Sequence, residues 1–228
     1  MIVLALDTAT PQVGVALCGP DGPLASLHVR DARRHGELLA PAVETVCRMA
    51  GVALREVGMV AADVGPGLFT GLRVGLSTAK ALASALGLPA AGFTSTEILA
   101  AAHAGVDRPV AAVVDIRRRE VAWGLYEPSG AAMREVHGPQ RAEPAELAAL
   151  LAGMDSGVLA VGDGALRYAA DMGKVALGGP LAAHPSAEVL GQLALQHPER
   201  AGAAQTLAPC YLRDADVRIG WQQAPDHG

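Results

Sequence analysis

The chain has 228 residues, of which 51% are hydrophobic and 18% charged, and its net charge is −5. This composition excludes an intrinsically disordered chain, and the length suffices for one large domain or two small ones. The acidic balance excludes a protein that clamps nucleic acid by its overall charge, so any RNA contact would need a local basic patch or a partner.

Three short apolar segments open the chain and predict a β-meander. They are MIVLALD, which ends in Asp7, then VGVALCG, and then PLASLHVRD after a turn at Gly22. A helical pattern follows over residues 34–50, with Gly51 as its stop. The apolar positions of that helix include Leu39, Val43 and Val46.

The next segments alternate between strand and helix. VGMVAADV predicts a buried strand, residues 71–86 a helix, PAAGFTS a strand and TEILAAAHA a helix. The N-terminus lacks the basic region of a signal peptide, and no uncharged run is long enough to span a bilayer. These features predict a soluble cytoplasmic protein that has no membrane contact.

The pattern then restarts, which predicts an internal duplication. Asp115 follows Asp7 by 108 positions and also ends an apolar strand. Four further pairs match at the same offset: Val13 and Val121, Leu17 and Leu125, Pro20 and Pro128, Gly22 and Gly130. We therefore expect an α/β half over residues 1–106 and a second over 107–228. Residues 202–228 form a tail that could pack back on the first half.

The run GPGLFTGLRVG between a strand and a helix is a candidate phosphate loop. Glycines allow a close backbone approach, and a helix N-terminus offers free N–H groups to an anion. The run is neither a Walker A motif nor a dinucleotide fingerprint. The weak candidates for nucleotide binding are Asp7, Thr8, Gly65, Gly67, Thr70 and Gly71. The alternative is that the loop only shapes a strand-to-helix junction and that Asp7 makes ordinary turn hydrogen bonds.

The helix after the loop carries two stripes. Small residues recur every four positions at Gly71, Gly75, Ala79, Ala83 and Gly87. Bulkier residues run beside them at Val74, Thr78, Leu82 and Leu86. Small stripes let two helices approach closely, so this helix could dock a partner; equally, both stripes could be buried inside the monomer.

No catalytic constellation stands out. The seven histidines form no HExxH or HxxxH pair, and Cys18, Cys47 and Cys210 lie far apart, so we predict no metal site. Asp7 and Asp115 facing across a cleft would suit phosphoryl transfer. The run Arg117 to Arg119 is either a solvated edge or a contact for RNA or a partner.

Five segments together resemble the TsaB (YeaZ) family. They are MIVLALDTAT, the first helix with His35, GPGLFTGLRVG, VVDIRRREVAWGLY and PCYLR, and they extend over nearly the whole chain. Leu68 stands where the family usually has serine, which removes a hydroxyl from the loop. The VVDIRRREVAW segment also departs from the usual sequence after the aspartate.

The resemblance implies a duplicated actin-like, sugar-kinase and Hsp70-like ATPase fold (ribonuclease H-like). It also implies a non-catalytic subunit that works with a TsaD-like enzyme and a TsaE-like ATPase in threonylcarbamoylation of tRNA. Contact with tRNA would come through the complex, and the chain alone could form a homodimer. The family pairs through its first two helices. The partner interface would then include Leu39, Val43, Val46, Gly71, Val74, Gly75, Thr78, Ala79 and Leu82.

Two alternatives remain at this stage. One is an ATP-dependent phosphotransferase or ATPase that uses Asp7 and the glycine loop. The other, more remote, is a metallopeptidase. We expect no resident cofactor; weak binding of ATP or ADP with magnesium, shared with the partner, is the secondary expectation.

Overall fold

The structure is a computed structural model that describes residues 1–31, 33–154 and 157–212. The first half of the chain contains β1 (Val3–Asp7), β2 (Gln12–Gly19), β3 (Gly22–Arg30), α1 (His35–Ala50), β4 (Met59–Asp63), α2 (Phe69–Leu86), β5 (Ala90–Phe93) and α3 (Ser95–Ala101). The second contains β6 (Val110–Asp115), β7 (Val121–Ser129), β8 (Ala132–Ala142), α4 (Pro144–Ala152), β9 (Leu159–Val161), α5 (Asp163–Arg167), β10 (Ala176–Leu177) and α6 (Ala187–Gln196).

The strands form two five-stranded mixed sheets of the same topology. Their orders are β3-β2-β1-β4-β5 and β8-β7-β6-β9-β10. In each sheet the first three strands pair antiparallel, and the other two join parallel to the first strand. This repeat confirms the predicted fold class of two similar α/β halves.

Both faces of the central strands β1, β4 and β6 are covered, because successive residues point to opposite faces and every residue of these strands is buried. On β1, Leu4 and Leu6 face α1 and α2, whereas Val3 and Ala5 face α6. The second sheet packs α4 and α5 on one face and α3 on the other. Helices α3 and α6 contact each other, so they form a central layer between the two sheets.

The two central helices are exchanged between the halves. Helix α3 follows the last strand of the first sheet but packs on β6 of the second. Helix α6 comes late in the chain but packs on β1 and β2 of the first sheet. An amphipathic helix pattern does not specify which sheet it covers, so the sequence did not indicate this exchange.

Most predicted elements are present, with small shifts at their ends. Helix α1 ends as predicted at Gly51, which has a left-handed φ of 66°. Helix α2 begins at Phe69, two residues before the predicted start. The sequence analysis did not assign β8, α5 or β10. No helix in the described part of the chain is long and apolar enough to cross a membrane.

The strand register revises the predicted equivalence of Asp7 and Asp115. Val3 pairs with Cys18 in the first half, and Val110 pairs with Tyr126 in the second. Aligning the two pairs requires an offset of 107 on the first strand and 108 on the second, so the second connection is one residue longer. Asp115 is therefore the counterpart of Thr8, and its side chain leaves the opposite face of the sheet from that of Asp7.

The segment after α6 returns to the first half. Gly202 forms an antiparallel bridge with Ala90 at the edge of the first sheet. The N–H of Cys210 donates to the carbonyl of Val64 over 2.7 Å. Residues 213–228 of the predicted tail lie outside the described residues.

Candidate functional site

The strongest concentration of buried polar groups lies where β1 and β4 end. Ala5 pairs with Ala61 and Leu6 with Ala62, so the parallel register continues to Asp7 beside Asp63. Both side chains leave the face that carries the central layer, and their exposed fractions are 0% and 3%. Asp63 is not among the site residues predicted from the sequence, although both apolar runs, MIVLALD and MVAAD, end in aspartate.

One oxygen of each carboxyl group closes a local turn. Asp7 Oδ1 accepts from the N–H of Ala9 over 2.9 Å, and Asp63 Oδ1 accepts from the N–H of Gly65 over 2.7 Å. Asp63 Oδ1 also accepts from the hydroxyl of Ser95 over 2.7 Å. These are the ordinary turn hydrogen bonds of strand-end aspartates.

The other two oxygens indicate a shared proton. Asp7 Oδ2 and Asp63 Oδ2 are buried and accept from no donor among the described groups. Burial raises the pKa of Asp7 well above its usual range, and the carboxyl of Asp63 raises that pKa further. Burial also raises the pKa of Asp63, to about 6. Two charged carboxylates buried side by side would repel each other, so the pair holds a proton, and Asp7, whose pKa is raised by both burial and the charge of Asp63, is the better proton carrier.

The glycine loop packs directly against the connection after β1. The N–H of Leu68 donates to the carbonyl of Ala9 over 2.7 Å, and the Thr8 hydroxyl donates to the carbonyl of Gly71 over 2.7 Å. A Cβ at Gly67 would collide with the carbonyl of Ala9, and one at Gly71 with that of Thr8. The glycines therefore permit backbone-to-backbone contact inside the monomer.

The remaining loop candidates are occupied or face outward. Gly65 has a left-handed φ of 92°, and its carbonyl accepts from the N–H of Ser95 over 2.8 Å. Thr70 is exposed on the first turn of α2. His35 fixes the start of α1 to the same connection, with Nε2 2.8 Å from the carbonyl of Thr10. This arrangement does not fit a magnesium–nucleotide at Asp7, since the loop contacts Thr8 and Ala9 directly and the carboxyl pair shares a proton.

The second half repeats this packing with different side chains. A Cβ at Gly162 would meet the carbonyl of Val113, and one at Gly164 would meet the backbone between Val114 and Asp115. Asp163 Oδ1 accepts from the N–H of Asp115 over 2.9 Å. The run VGDGA is thus the second-half counterpart of the glycine loop, a role that the sequence analysis did not assign.

Asp115 does not face Asp7 across a cleft as the phosphoryl-transfer hypothesis requires. Its carboxylate accepts from Arg117 over 3.3 Å and from the hydroxyl of Tyr168 over 3.3 Å, and it lies 3.4 Å from Nε of Arg167. The second-half carboxyl whose charge raises the pKa of Asp7 is Asp163. Burial in turn raises the pKa of Asp163 to about 7.

The predicted partner interface falls mostly inside the monomer. Buried members of that set are Leu39, Val43, Val46, Gly71, Gly75 and Ala79. A Cβ at Gly75 would collide with the Thr8 hydroxyl, so the small stripe serves close packing of α2 on β1. The stripe thus lies in the core of the monomer, and the partner interface stays a prediction. Only Val74, Thr78 and Leu82 remain half-exposed.

The outward face of α2 is small and uncharged over most of its length. Its exposed positions include Ser77, Ala81, Ser84 and Ala85. At its start the ring of Phe69 lies 5.3 Å from that of Tyr211, and the Arg73 guanidinium sits 3.8 Å above Phe69. Exposed aromatic and arginine side chains beside small residues are typical of protein interfaces.

Within residues 1–31, 33–154 and 157–212, no three His, Cys, Asp or Glu side chains come together as a metal site. The cysteines among them are free, with Cys18 and Cys47 buried. The three arginines after Asp115 form a left-handed turn with φ between 57° and 69°.

Comparison with protein families gives a match over residues 30–176 to the TsaD model, described as tRNA N6-adenosine threonylcarbamoyltransferase. A Bacillus subtilis protein named tRNA threonylcarbamoyladenosine biosynthesis protein TsaB is 30% identical over 227 residues, which cover 97% of this chain and 98% of that protein. An uncharacterized protein of Mycobacterium leprae is 40% identical over 129 residues, but the match spans only 35% of its length.

Among solved structures, a Pseudomonas aeruginosa protein described as similar to the peptidase YeaZ superposes with a TM-score of 0.82. It is 33% identical, and the match covers 93% of this chain and 99% of that one. The likeness therefore extends over both halves.

Proposed function

Because the chain belongs to the TsaB (YeaZ) family, we propose that it is a non-catalytic subunit for the synthesis of threonylcarbamoyladenosine in tRNA. One observation carries this proposal: the residues that would bind a nucleotide make contacts within the chain instead. Asp7 is buried beside Asp63, and the glycine loop hydrogen-bonds the connection after β1. The groups best placed for catalysis thus stabilise the fold.

The catalytic step would then belong to a TsaD-like partner, assisted by a TsaE-like ATPase. Support for such a partner comes from the likeness of this chain to the TsaD model over residues 30–176. Two chains of one fold can present matching helical faces to each other, and the same face could also pair two copies of this chain. We assign docking to the outward face of α2, centred on Ala81, rather than to its buried stripe.

Contact with tRNA would come through the assembled complex. The net charge of −5 gives this chain no general attraction to a phosphate backbone. The arginine turn after Asp115 is partly engaged by acids of its own half: Arg117 pairs with Asp115 and Arg119 with Asp171.

The test is reconstitution of threonylcarbamoylation with TsaC-, TsaD- and TsaE-like proteins of the same source, with and without this chain. The modified nucleoside is measured by mass spectrometry. We expect modification to require this chain and to persist with the Asp7→Asn variant. Modification without the chain would contradict the proposal.

A parallel measurement addresses the ATPase alternative. Magnesium–ATP binding to the isolated chain is followed by calorimetry, with the wild type and Asp7→Asn side by side. We expect no tight binding by either protein. Tight binding that the substitution abolishes would establish Asp7 as a nucleotide ligand and would favour the enzyme.

A further inference from the structure

A cavity of about 400 Å³ lies between the two halves, at the opposite end of the first sheet from Asp7. Pro23 lines it and sits beside Cys18, the partner of Val3 at the start of β1. The other walls are α3, α6 and the β7–β8 hairpin. The volume lies within the range of sites for small organic ligands.

The charged groups of the cavity are mainly acidic. Three carboxylates line it, at Glu97, Glu135 and Glu188, together with one guanidinium at Arg200 and the ring of His197. His197 lies 3.1 Å from Glu199, outside the lining.

The one guanidinium is already engaged by the wall. Arg200 donates to Glu97 over 2.8 Å and to the carbonyl of Gly92 over 2.8 Å, and it stacks 4.0 Å from the centre of the Phe93 ring. It therefore offsets the charge of Glu97, and among the described lining residues there is no second Lys or Arg to face an incoming anion.

The other two carboxylates differ in their partners. Glu188 lies 3.3 Å from Nε2 of His28 and 2.6 Å from the hydroxyl of Ser186. Glu135 accepts from the buried Tyr126 hydroxyl over 3.2 Å, and that hydroxyl is also 3.0 Å from Thr96 Oγ1. Tyr126 thus holds Glu135 at the edge of the cavity while leaving its negative charge uncompensated by this hydrogen bond.

Apart from Tyr126 and the amides of Gln192 and Gln196, the rest of the lining is apolar and made of small or flexible side chains. Its members include Ala101, Ala104, Met133, Val189 and Leu193. Alkyl walls beside carboxylates repel phosphate and carboxylate groups but favour an amine on an alkyl chain, since the walls cover the chain and the acids face the ammonium group.

We propose that this cavity binds a small organic cation, an amine on a short alkyl body, with Glu135 as its principal anion. The ligand would contact α3, α6 and the β7–β8 hairpin together, so it would link the two halves. This site is separate from the strand ends that carry Asp7, and its test requires neither tRNA nor a partner protein.

The experiment compares three test ligands of equal chain length, hexylamine, hexan-1-ol and hexanoate, by calorimetry and by amide shifts of the full chain. We expect hexylamine to bind about tenfold or more tightly than the alcohol, because a charge-assisted hydrogen bond is added, and hexanoate to bind least. Equal binding of the three, or no binding of hexylamine, would overturn the proposal.

Variants locate the site. Glu135→Gln keeps an acceptor for Tyr126 but removes the charge, and we expect it to weaken hexylamine about tenfold and hexan-1-ol little. The matched control is Glu127→Gln on the same hairpin, whose carboxylate pairs with Arg134 over 2.7 Å and does not line the cavity. Ala101→Phe should fill the cavity and reduce binding of both ligands. If Ala101→Phe does not fold, the comparison of Glu135→Gln with Glu127→Gln tests the site. Equal affinities of these two variants for hexylamine would contradict the assignment.

Discussion

The proton shared by Asp7 and Asp63 makes folding depend on pH. A buried acid with a raised folded-state pKa binds its proton more tightly in the native than in the unfolded chain. Its contribution to stability is therefore fully present below the unfolded pKa, 3.8, and is lost as pH rises through the folded pKa. For Asp63 that window extends to about 6 and for Asp163 to about 7. These groups favour folding in mild acid.

Replacing Asp7 by asparagine should remove most of the pH dependence of stability that comes from Asp7 and Asp63. The asparagine amide can donate to Asp63 while its oxygen accepts from Ala9, as protonated Asp7 does. We expect the free energy of unfolding at pH 8 to rise by about 2 kcal/mol and its slope between pH 4 and 7 to flatten. Urea titrations across that range provide the measurement, with Asp21→Asn, at an exposed position, as control. A variant less stable than the wild type at pH 8 would rule out the shared proton.

The left-handed turn after Asp115 carries strain at single residues. Arg119 has a φ of 57°, which costs an L-residue about 1 kcal/mol relative to glycine. We expect Arg119→Gly to be about 1 kcal/mol more stable than Arg119→Ala. Both variants lose the exposed ion pair with Asp171. The difference between their free energies of unfolding in urea therefore gives the cost of the left-handed backbone conformation at residue 119. Equal stabilities would show that the turn relaxes.

Helix α2 has two faces with different tasks. Its inward stripe lets the backbone approach the end of β1, and its outward face carries small side chains around Ala81, with the half-exposed Lys80 beside it. The same spacing of small residues allows close packing within a core and close docking between chains. The sequence pattern therefore cannot distinguish a buried stripe from a docking surface. Only the contact of Gly71 and Gly75 with Thr8 does so.

Adding a methyl group on the inward face should destabilise the monomer. A Cβ at Gly71 meets the carbonyl of Thr8, a backbone atom that has little freedom to move. We expect Gly71→Ala to lower the free energy of unfolding by about 2 kcal/mol or more. The control is Gly36→Ala in α1, where nothing lies within 4 Å, so that change should be neutral or stabilising by under about 1 kcal/mol. Similar effects of the two substitutions in urea unfolding would contradict this packing.

A charge on the outward face should affect association alone. Ala81→Glu places an uncompensated carboxylate at the centre of the proposed docking face, and we expect the affinity for a TsaD-like partner to fall at least about tenfold. Ala149→Glu makes the same change at an exposed position of α4. Calorimetry with both variants, after thermal melts have shown them equally folded, compares the affinities. Wild-type binding by Ala81→Glu would place the interface elsewhere.

At the scale of the whole molecule, the exchange of α3 and α6 joins the halves into one folding unit. The central face of the first sheet is formed by Val3, Ala5 and their neighbours, and α6 covers it. We expect a fragment of residues 1–106 to remain unfolded or to aggregate, because that face would be exposed. Circular dichroism and sedimentation of the fragment test this, with the full chain as control. A monomeric, cooperatively melting fragment would show that α6 is dispensable.

Much of this architecture follows from the sequence. Apolar alternation and glycine stops predict the order of strands and helices in the first half, and the restart at Asp115 predicts a second half. The one-residue lengthening after β6 was not predicted, since inserting a loop residue leaves each strand pattern intact while exchanging its faces. For the same reason Asp115 was matched to Asp7, and Asp63, at the end of the neighbouring strand, was overlooked.

The return of α6 and residues 202–212 to the first sheet also has a consequence for synthesis on the ribosome. Strand β5 ends at Phe93, whereas α6 begins at Ala187. At roughly 5–20 residues per second, on the order of 5 to 20 s separate translation of these two segments. During that interval one apolar face of the first sheet has no native cover. A nascent chain of this protein therefore has a long period in which chaperone binding at Val3, Ala5 and Met59 competes with misassembly.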